Sequence, residues 1–153
     1  MQLIQKRKYV FTWLIFFMLA FAVQTVSAVE KAGDKATEIQ KPVHAIVVTY
    51  FHTTMRCPTC HKIEELSTLA VKSHFEKELS TGKVVWRVIN VDEPENAHYN
   101  KDYQLYTKSL IVSEVKDGKE VRWKNLEKIW EFVRDEEEFD KYVHTEIADW
   151  LKG

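Results

Sequence analysis

The chain is poor in the residues that mark several large classes of protein. Its 153 residues include two cysteines, three prolines and four glycines. So few glycines leave no glycine-rich motif for a flavin or a nucleotide, and we expect no bound cofactor. Internal repeats and low-complexity segments are absent from the sequence. Basic residues form no stripe with interleaved aromatic residues, so nucleic acid is not expected as a partner.

The N-terminus has the pattern of a secretory signal peptide. Basic residues at 6–8 precede an apolar stretch at 9–23, and the small residues Val26 and Ala28 suit a signal-peptidase site. We therefore predict a signal peptide over 1–28, cleaved after Ala28, and a periplasmic protein. The alternative is a retained anchor facing the periplasm, since residues 9–28 approach the length that spans a bilayer. No cysteine lies near the cleavage site, which excludes a lipoprotein.

The rest of the chain divides into a polar linker and one domain. Residues 29–42 are polar and charged and are predicted as the linker, with the domain over 43–153. Composition and periodicity predict strands over 43–50, 83–91, 109–115 and 120–123, and helices over 60–79, 95–106, 126–133 and 136–151. Gly82 is expected to end the first helix, and 116–119 to form a hairpin turn around Asp-Gly.

The two cysteines stand where the first strand gives way to the first helix. They form the CxxC motif Cys57-Pro58-Thr59-Cys60. A helix start offers free backbone N–H groups and the positive end of the helix dipole, and both favour a thiolate. A disulfide across two residues closes a loop too small to stabilise the fold much, which favours a redox pair over a structural bridge. We predict that Cys57 attacks and Cys60 resolves the mixed disulfide.

The predicted element order is β-α-β-α-β-β-α, with the CxxC motif at the first strand–helix junction. That order and that position together are typical of the thioredoxin-like α/β fold, a central mixed sheet flanked by helices. The predicted function is thiol–disulfide exchange with protein partners. An exported protein of this kind also needs a membrane electron donor or acceptor, and it would meet the membrane itself only through an uncleaved signal segment.

Two other interpretations of the cysteines stay open. With His61 the motif is also C-x-x-C-H, the attachment signature of a c-type haem. Alternatively, Cys57 and Cys60 could bind a soft metal such as Cu(I) or an arsenite-type species together with His52, His61 or Met55. No second CxxC motif or histidine cluster supports this, so no metal site is predicted. The other histidines are interpreted as surface or hydrogen-bonded residues, namely His44, His74, His98 and His144. Four tryptophans are expected in the core rather than at a cofactor, namely Trp86, Trp123, Trp130 and Trp150.

Several blocks of the sequence resemble one family. They are residues 50–52, 56–60, 90–96, 102–107 and 116–121. In these blocks the chain resembles small exported bacterial thioredoxin-like proteins known as the ArsF-like subunit of a nitrophenyl-compound nitroreductase. The resemblance implies a redox-active disulfide between Cys57 and Cys60 and an electron-transfer role linked to the reduction of nitro compounds.

The chain departs from the ordinary thioredoxin pattern in three places. Arg56 replaces the tryptophan that usually precedes the first cysteine, and it is expected to lower the pKa of Cys57 electrostatically. The loop that enters the third strand and shapes the substrate groove is Thr107-Lys108-Ser109, without the usual proline. No buried acid stands in the first strand, which leaves the proton acceptor for Cys60 unassigned. Pro58, Thr59 and His61 complete the predicted set of supporting residues.

Overall fold

The structure is a computed structural model, and it describes residues 43–152. The predicted signal segment and linker lie outside the described residues. The elements are β1 (His44–His52), α1 (Pro58–His74), α2 (Glu76–Ser80), β2 (Val84–Asn90), a 3₁₀ turn (Pro94–Asn96), α3 (Tyr99–Asp102), β3 (Ser109–Lys116), β4 (Lys119–Asn125), α4 (Ile129–Phe132) and α5 (Glu136–Leu151). No helix within this part of the chain is both long enough and apolar enough to cross a membrane.

The four strands form one mixed sheet in the order β2-β1-β3-β4. β1 pairs parallel with β2, whereas β3 is antiparallel to β1 and β4 is antiparallel to β3. Seven consecutive residues of β1 are buried because this central strand has side chains packed on both of its faces. The element order and this sheet confirm the predicted thioredoxin-like fold.

The two faces of the sheet carry separate cores. Alternate residues of β1 point to opposite faces, so Tyr50 and Phe51 belong to different cores. Tyr50 joins the larger core, which α1 and α5 cover through residues such as Ile63 and Val143. Phe51 joins Val91 and Ile111 in a smaller core, against which the rings of Tyr99 and Tyr103 pack.

The helices after the first strand are shorter than the sequence predicts. The helix expected over 60–79 is interrupted at Phe75, whose φ of −126° leaves the helical range and whose side chain is 4% exposed. Burial of this ring thus outweighs continuation of the helix. The helix expected over 95–106 is reduced to a 3₁₀ turn and the four residues of α3. Gln104 closes this stretch in the left-handed region with φ 51°, which breaks a helical path.

The predicted hairpin turn is confirmed, whereas Gly82 ends the short helix α2 instead of the first helix. Gly82 follows α2 with φ 72°, the left-handed conformation that a glycine at a helix end adopts. Asp117 and Gly118 have φ values of 52° and 76° between β3 and β4. Two successive positive φ values define the type I′ hairpin turn, for which Asp-Gly is a preferred sequence.

One buried carboxylate sits away from the cysteines, on β3. Glu114 is 2% exposed. Its oxygens lie 2.8 Å from Lys116 Nζ and 2.5 Å from Arg122 Nε, and His44 Nε2 lies 2.8 Å away. Hydrogen bonds from Lys116 and Arg122 outweigh the effect of burial and lower the pKa of Glu114 to about 2. This cluster holds β3 and β4 together at the turn end of their hairpin.

Candidate functional site

The centre of the candidate site is a disulfide between Cys57 and Cys60. Their Cα atoms lie 5.1 Å apart. Cys57 is exposed, whereas Cys60 is 2% exposed and belongs to the core. Only one of the two sulfurs is therefore accessible to a partner, and it is the one expected to attack.

Cys57 is also the N-cap of α1. Its Sγ accepts a hydrogen bond from the backbone N–H of Cys60 at 3.2 Å, and Pro58 occupies the first turn, where it sacrifices no helical hydrogen bond. No acidic residue lies in that first turn. Backbone donation and the helix dipole both act on the Cys57 sulfur without a nearby carboxylate in the turn to oppose them, which favours its thiolate.

Arg56 forms an ion pair with Glu64 of α1. The guanidinium is 17% exposed and the carboxylate 27%. Part of the positive field that the sequence assigns to Cys57 is thus offset by a carboxylate about two turns into α1. The effect of Arg56 on the pKa of Cys57 stays a prediction.

Tyr50 is a site residue that the sequence reasoning missed. Its side chain is completely buried beneath the start of α1, and its hydroxyl donates a hydrogen bond to the Cys60 carbonyl at 2.8 Å. Burial raises the pKa of Tyr50 to about 12, and the charge of Arg56 opposes that rise. Tyr50 therefore stays neutral and acts as a donor. The sequence holds one indication of this role. Tyr50 lies near the end of the central strand, the strand in which thioredoxins carry their buried acid.

The loop between β1 and the motif is tied to the end of β2. The backbone N–H of Thr54 donates to Asp92 Oδ2 at 2.8 Å, and Asn90 Nδ2 donates to Thr54 Oγ1 at 3.1 Å. The Thr53 hydroxyl donates to the carbonyl of Met55 at 2.9 Å, and the Met55 side chain is 83% exposed. These contacts hold the approach to Cys57 and present one apolar side chain beside it.

The predicted groove residues lie at the same end of the sheet as the motif. Ser109 pairs with Phe51 across β3 and β1, and its hydroxyl donates to the Thr107 carbonyl at 3.0 Å. Thr107 and Lys108 line a cleft of about 190 Å³ together with His52 of β1. The Lys108 carbonyl accepts a hydrogen bond from Trp130 Nε1 at 3.0 Å. Their role in binding a substrate stays a prediction.

The expectation of core tryptophans is wrong for two of the four. Trp123 and Trp130 are 37% and 36% exposed. Trp123 is on the edge strand β4, and Trp130 is on the four-residue helix α4, so neither has a second layer to cover it. Trp86 and Trp150 do pack against the larger core, and Arg122 lies 4.4 Å above the Trp150 ring.

The structure also bears on the two alternatives for the cysteines. A small cytochrome c is mostly helical, whereas this domain is built on a four-stranded sheet, and His61 is exposed on the first turn of α1. Across residues 43–152 no three His, Cys, Asp or Glu side chains come together as a set that could hold a metal ion. His52 and Met55 precede the motif in the chain and complete no such set with its cysteines.

The described residues form a thioredoxin-like α/β domain with a CxxC disulfide at its first strand–helix junction. Such an arrangement supports thiol–disulfide exchange. No family model and no curated protein matches the chain.

Solved structures to which the chain is similar include several thioredoxins. The Fasciola hepatica thioredoxin is 24% identical, with 59% of this chain and 79% of that chain covered and a TM-score of 0.36. Thioredoxin O2 from Arabidopsis thaliana in the oxidised state is 15% identical, with 61% and 74% covered and a TM-score of 0.40. The reduced Schistosoma mansoni thioredoxin pre-protein is 18% identical, with 70% and 90% covered and a TM-score of 0.39.

Proposed function

We propose that the protein is an exported thiol–disulfide oxidoreductase that works through Cys57 and Cys60. The observation that carries the proposal is the asymmetry of the pair. An exposed Cys57 sulfur caps a 17-residue helix, and a buried Cys60 sulfur is bonded to it. A partner can reach only the first sulfur, and the second is placed to displace that partner.

The exchange balances as two displacements. In the reduced protein the Cys57 thiolate attacks one sulfur of a partner disulfide, forms a mixed disulfide and releases one partner thiolate. The Cys60 thiolate then attacks Cys57 Sγ, closes the Cys57–Cys60 disulfide and releases the second partner thiolate. Two electrons pass to the partner, and the reverse sequence oxidises a partner dithiol.

The surroundings of the pair support each step. The N–H of Cys60 stabilises negative charge on Cys57 as it attacks or leaves. Tyr50 anchors the carbonyl of Cys60, so the buried sulfur keeps its position while Cys57 is bonded to a partner. The tether between Thr54 and Asp92 keeps the loop before Cys57 in place during the same step.

The compartment and partners are part of the proposal. The N-terminal signal pattern supports export to the periplasm with cleavage after Ala28, or display there on a retained anchor. A dithiol in that compartment requires a protein partner in the membrane that supplies or removes electrons. The sequence resemblance supports a role as the thiol electron-transfer subunit of a system that reduces nitro compounds. The nitro group would then be reduced on a partner, because the described domain shows only a thiol pair for electrons.

Trapping of the mixed disulfide tests the exchange. In Cys60→Ser the resolving sulfur is absent, so we expect a partner-linked adduct through Cys57 that a reductant releases. The control is Cys57→Ser, which should form no adduct because its remaining sulfur is buried. A Cys60→Ser protein that forms no adduct with any disulfide substrate would contradict the mechanism.

A redox titration in glutathione buffers separates the proposal from the haem and metal alternatives. We expect a reversible two-electron transition of the Cys57/Cys60 pair and an absorption spectrum without a Soret band. A Soret band, or a pair that cannot be cycled, would overturn the proposal. For export, the mass of the protein recovered from the periplasm should correspond to a chain that starts at Val29; a full-length mass in the membrane fraction would indicate the anchor.

A further inference from the structure

A second cleft, which has aromatic walls, lies at the same end of the sheet as the disulfide, since Ser109 lines it and pairs with Phe51 of β1. Tyr103, Tyr106, Trp123 and Trp130 line it together with Glu127, and its volume is about 340 Å³. We name these five residues the aromatic cleft. Exposed tryptophans are uncommon on a small domain, and two of them here line one cavity. Their exposure to solvent therefore points to a ligand-binding site.

The walls of the aromatic cleft are held in place by hydrogen bonds. The rings of Tyr103 and Trp123 stand perpendicular, with centroids 5.3 Å apart. The Tyr103 hydroxyl donates to Glu120 at 2.5 Å, and Trp130 Nε1 donates to the Lys108 carbonyl at 3.0 Å. These rings are held in a fixed orientation before any ligand binds, and such preorganisation reduces the entropy lost on binding.

The charge of the aromatic cleft favours a cation. Of the described residues that line it, Glu127 is the only charged one, and neither lysine nor arginine contributes to its walls. The faces of aromatic rings carry partial negative charge and attract ammonium and guanidinium groups. The negative charge of the Glu127 carboxylate also attracts a cation and therefore adds to the effect of the rings.

The aromatic cleft shares one lining residue with a cleft next to the cysteines. Trp130 also lines a neighbouring cleft of about 620 Å³, whose walls include Pro58 and Thr59 of the CxxC motif. A polypeptide that binds over Pro58 and Thr59 in this neighbouring cleft would contact Trp130, and Trp130 also forms a wall of the aromatic cleft.

We propose that the aromatic cleft binds a lysine or arginine side chain of the partner protein, close in sequence or space to the reacting cysteine. The cation lies in the cleft against the cavity-facing sides of Tyr103, Trp123 and Trp130 and near Glu127, so partners with a basic residue near the exchanging sulfur react faster. The proposal deepens the proposed function and rests on it for its effect on rate. The binding of the cation itself does not depend on exchange.

Binding is tested on the oxidised full-length protein, which presents no free thiol. The probe is a cysteine-free pentapeptide with one central lysine, and its matched control carries the same lysine acetylated on Nζ. Indole N–H signals in the nuclear magnetic resonance spectrum report on each tryptophan. We expect the lysine peptide to shift the signals of Trp123 and Trp130 but not that of Trp86, which lies on the opposite edge strand β2. The acetylated peptide should shift none of them.

The effect on exchange is tested with glutathionylated peptides that place one lysine two to four residues from the cysteine. We expect the rate constant to exceed that of the Nζ-acetylated peptides roughly threefold to thirtyfold at the best spacing, the range a cation over aromatic rings gives. Trp123→Leu keeps an apolar wall without a π face and should abolish the preference, whereas Trp123→Phe should keep most of it. Glu127→Gln should weaken it, and added salt should do the same.

Each result has one meaning. Equal binding of the lysine and acetyl-lysine peptides, or no shift of Trp123 and Trp130, overturns the cation site. A preference that survives in Trp123→Leu also overturns it. If the peptides bind as expected but no peptide exchanges, the cation site stands and the proposed redox function fails.

Discussion

The Tyr50 hydroxyl lies 2.8 Å from the carbonyl oxygen of Cys60 and donates to it. The contact joins the central strand to the first turn of the helix that carries the disulfide. A neutral donor is thus bonded to the backbone of the buried cysteine. The order of that turn, and with it the N–H that serves Cys57, depends on a side chain that never meets solvent.

Tyr50→Phe should make the protein more reducing. Loss of the bond loosens the turn whose N–H stabilises the Cys57 thiolate, and a less stable reduced form lowers the midpoint potential. Loss of this hydrogen bond should also lower the free energy of unfolding by about 0.5–1.5 kcal/mol. A redox titration and denaturant unfolding measure the two effects. Tyr142→Phe is the matched control, since Tyr142 lies on α5 away from the disulfide, and it should leave the midpoint unchanged; an equal shift in both variants would contradict the role of Tyr50.

The Arg56–Glu64 ion pair should control how much of Cys57 is thiolate. Glu64→Gln releases the guanidinium from its carboxylate, so we expect a larger thiolate fraction at a given pH in the reduced protein. Arg56→Ala should have the opposite effect. Thiolate absorbance near 240 nm follows both variants. If Arg56→Ala leaves the titration of Cys57 where it was, Arg56 is only a partner of Glu64.

Glu114 should make the fold sensitive to acid. Its pKa falls from 4.5 to about 2 on folding, with Lys116 as the first cause. A lowered folded-state pKa stabilises the fold above the unfolded value, so this contribution is complete above about pH 4.5 and is lost as the pH falls towards 2. Glu114→Gln should therefore flatten the acid limb of unfolding free energy against pH. The control Glu65→Gln, at a carboxylate that is 71% exposed, should leave that limb unchanged.

Three tyrosines should resist ionisation in the folded protein, and for Tyr103 burial and the hydrogen bond to Glu120 raise the pKa of the hydroxyl well above its ordinary value. Burial raises the pKa of Tyr50 and of Tyr142 to about 12 from an ordinary value of 10. A raised folded-state pKa stabilises the fold below the unfolded value, so this contribution is present below pH 10 and is lost as the pH rises towards 12. Tyrosinate absorbance at 295 nm should show a late step in the wild type that is one residue smaller in Tyr50→Phe. An early, complete titration would contradict the burial of these hydroxyls.

The predictable part of the fold came from strongly patterned segments. The buried run of β1 and the periodic helix α5 agree with their predicted positions within a few residues, and α5 matches at both ends. The Asp117-Gly118 turn follows from local backbone preference, which tertiary contacts did not override. The interruption at Phe75 was not predictable, because the residue fits the helical pattern and leaves the helix only to fill a space in the core.

The candidate site was predictable where it depends on local sequence. The CxxC motif fixes the disulfide and its helix-capping position. Tyr50 was missed because a tyrosine in an apolar strand is ordinarily a core residue, and its partner is a backbone atom ten residues away. The aromatic cleft brings together the C-terminal end of α3, β4 and α4, which are distant in the sequence, and the edge position of β4, which exposes Trp123, is known only from the sheet order.

The bond between Trp130 Nε1 and the Lys108 carbonyl has a consequence for the kind of partner the protein accepts. Many proteins hold an extended peptide by pairing its backbone with a free strand end, and that mode serves unfolded chains of almost any sequence. Here the carbonyl just before β3 already has a donor. In the proposed exchange, the backbone of a partner would meet an acceptor that already has a donor, so side chains would contribute more of the selection.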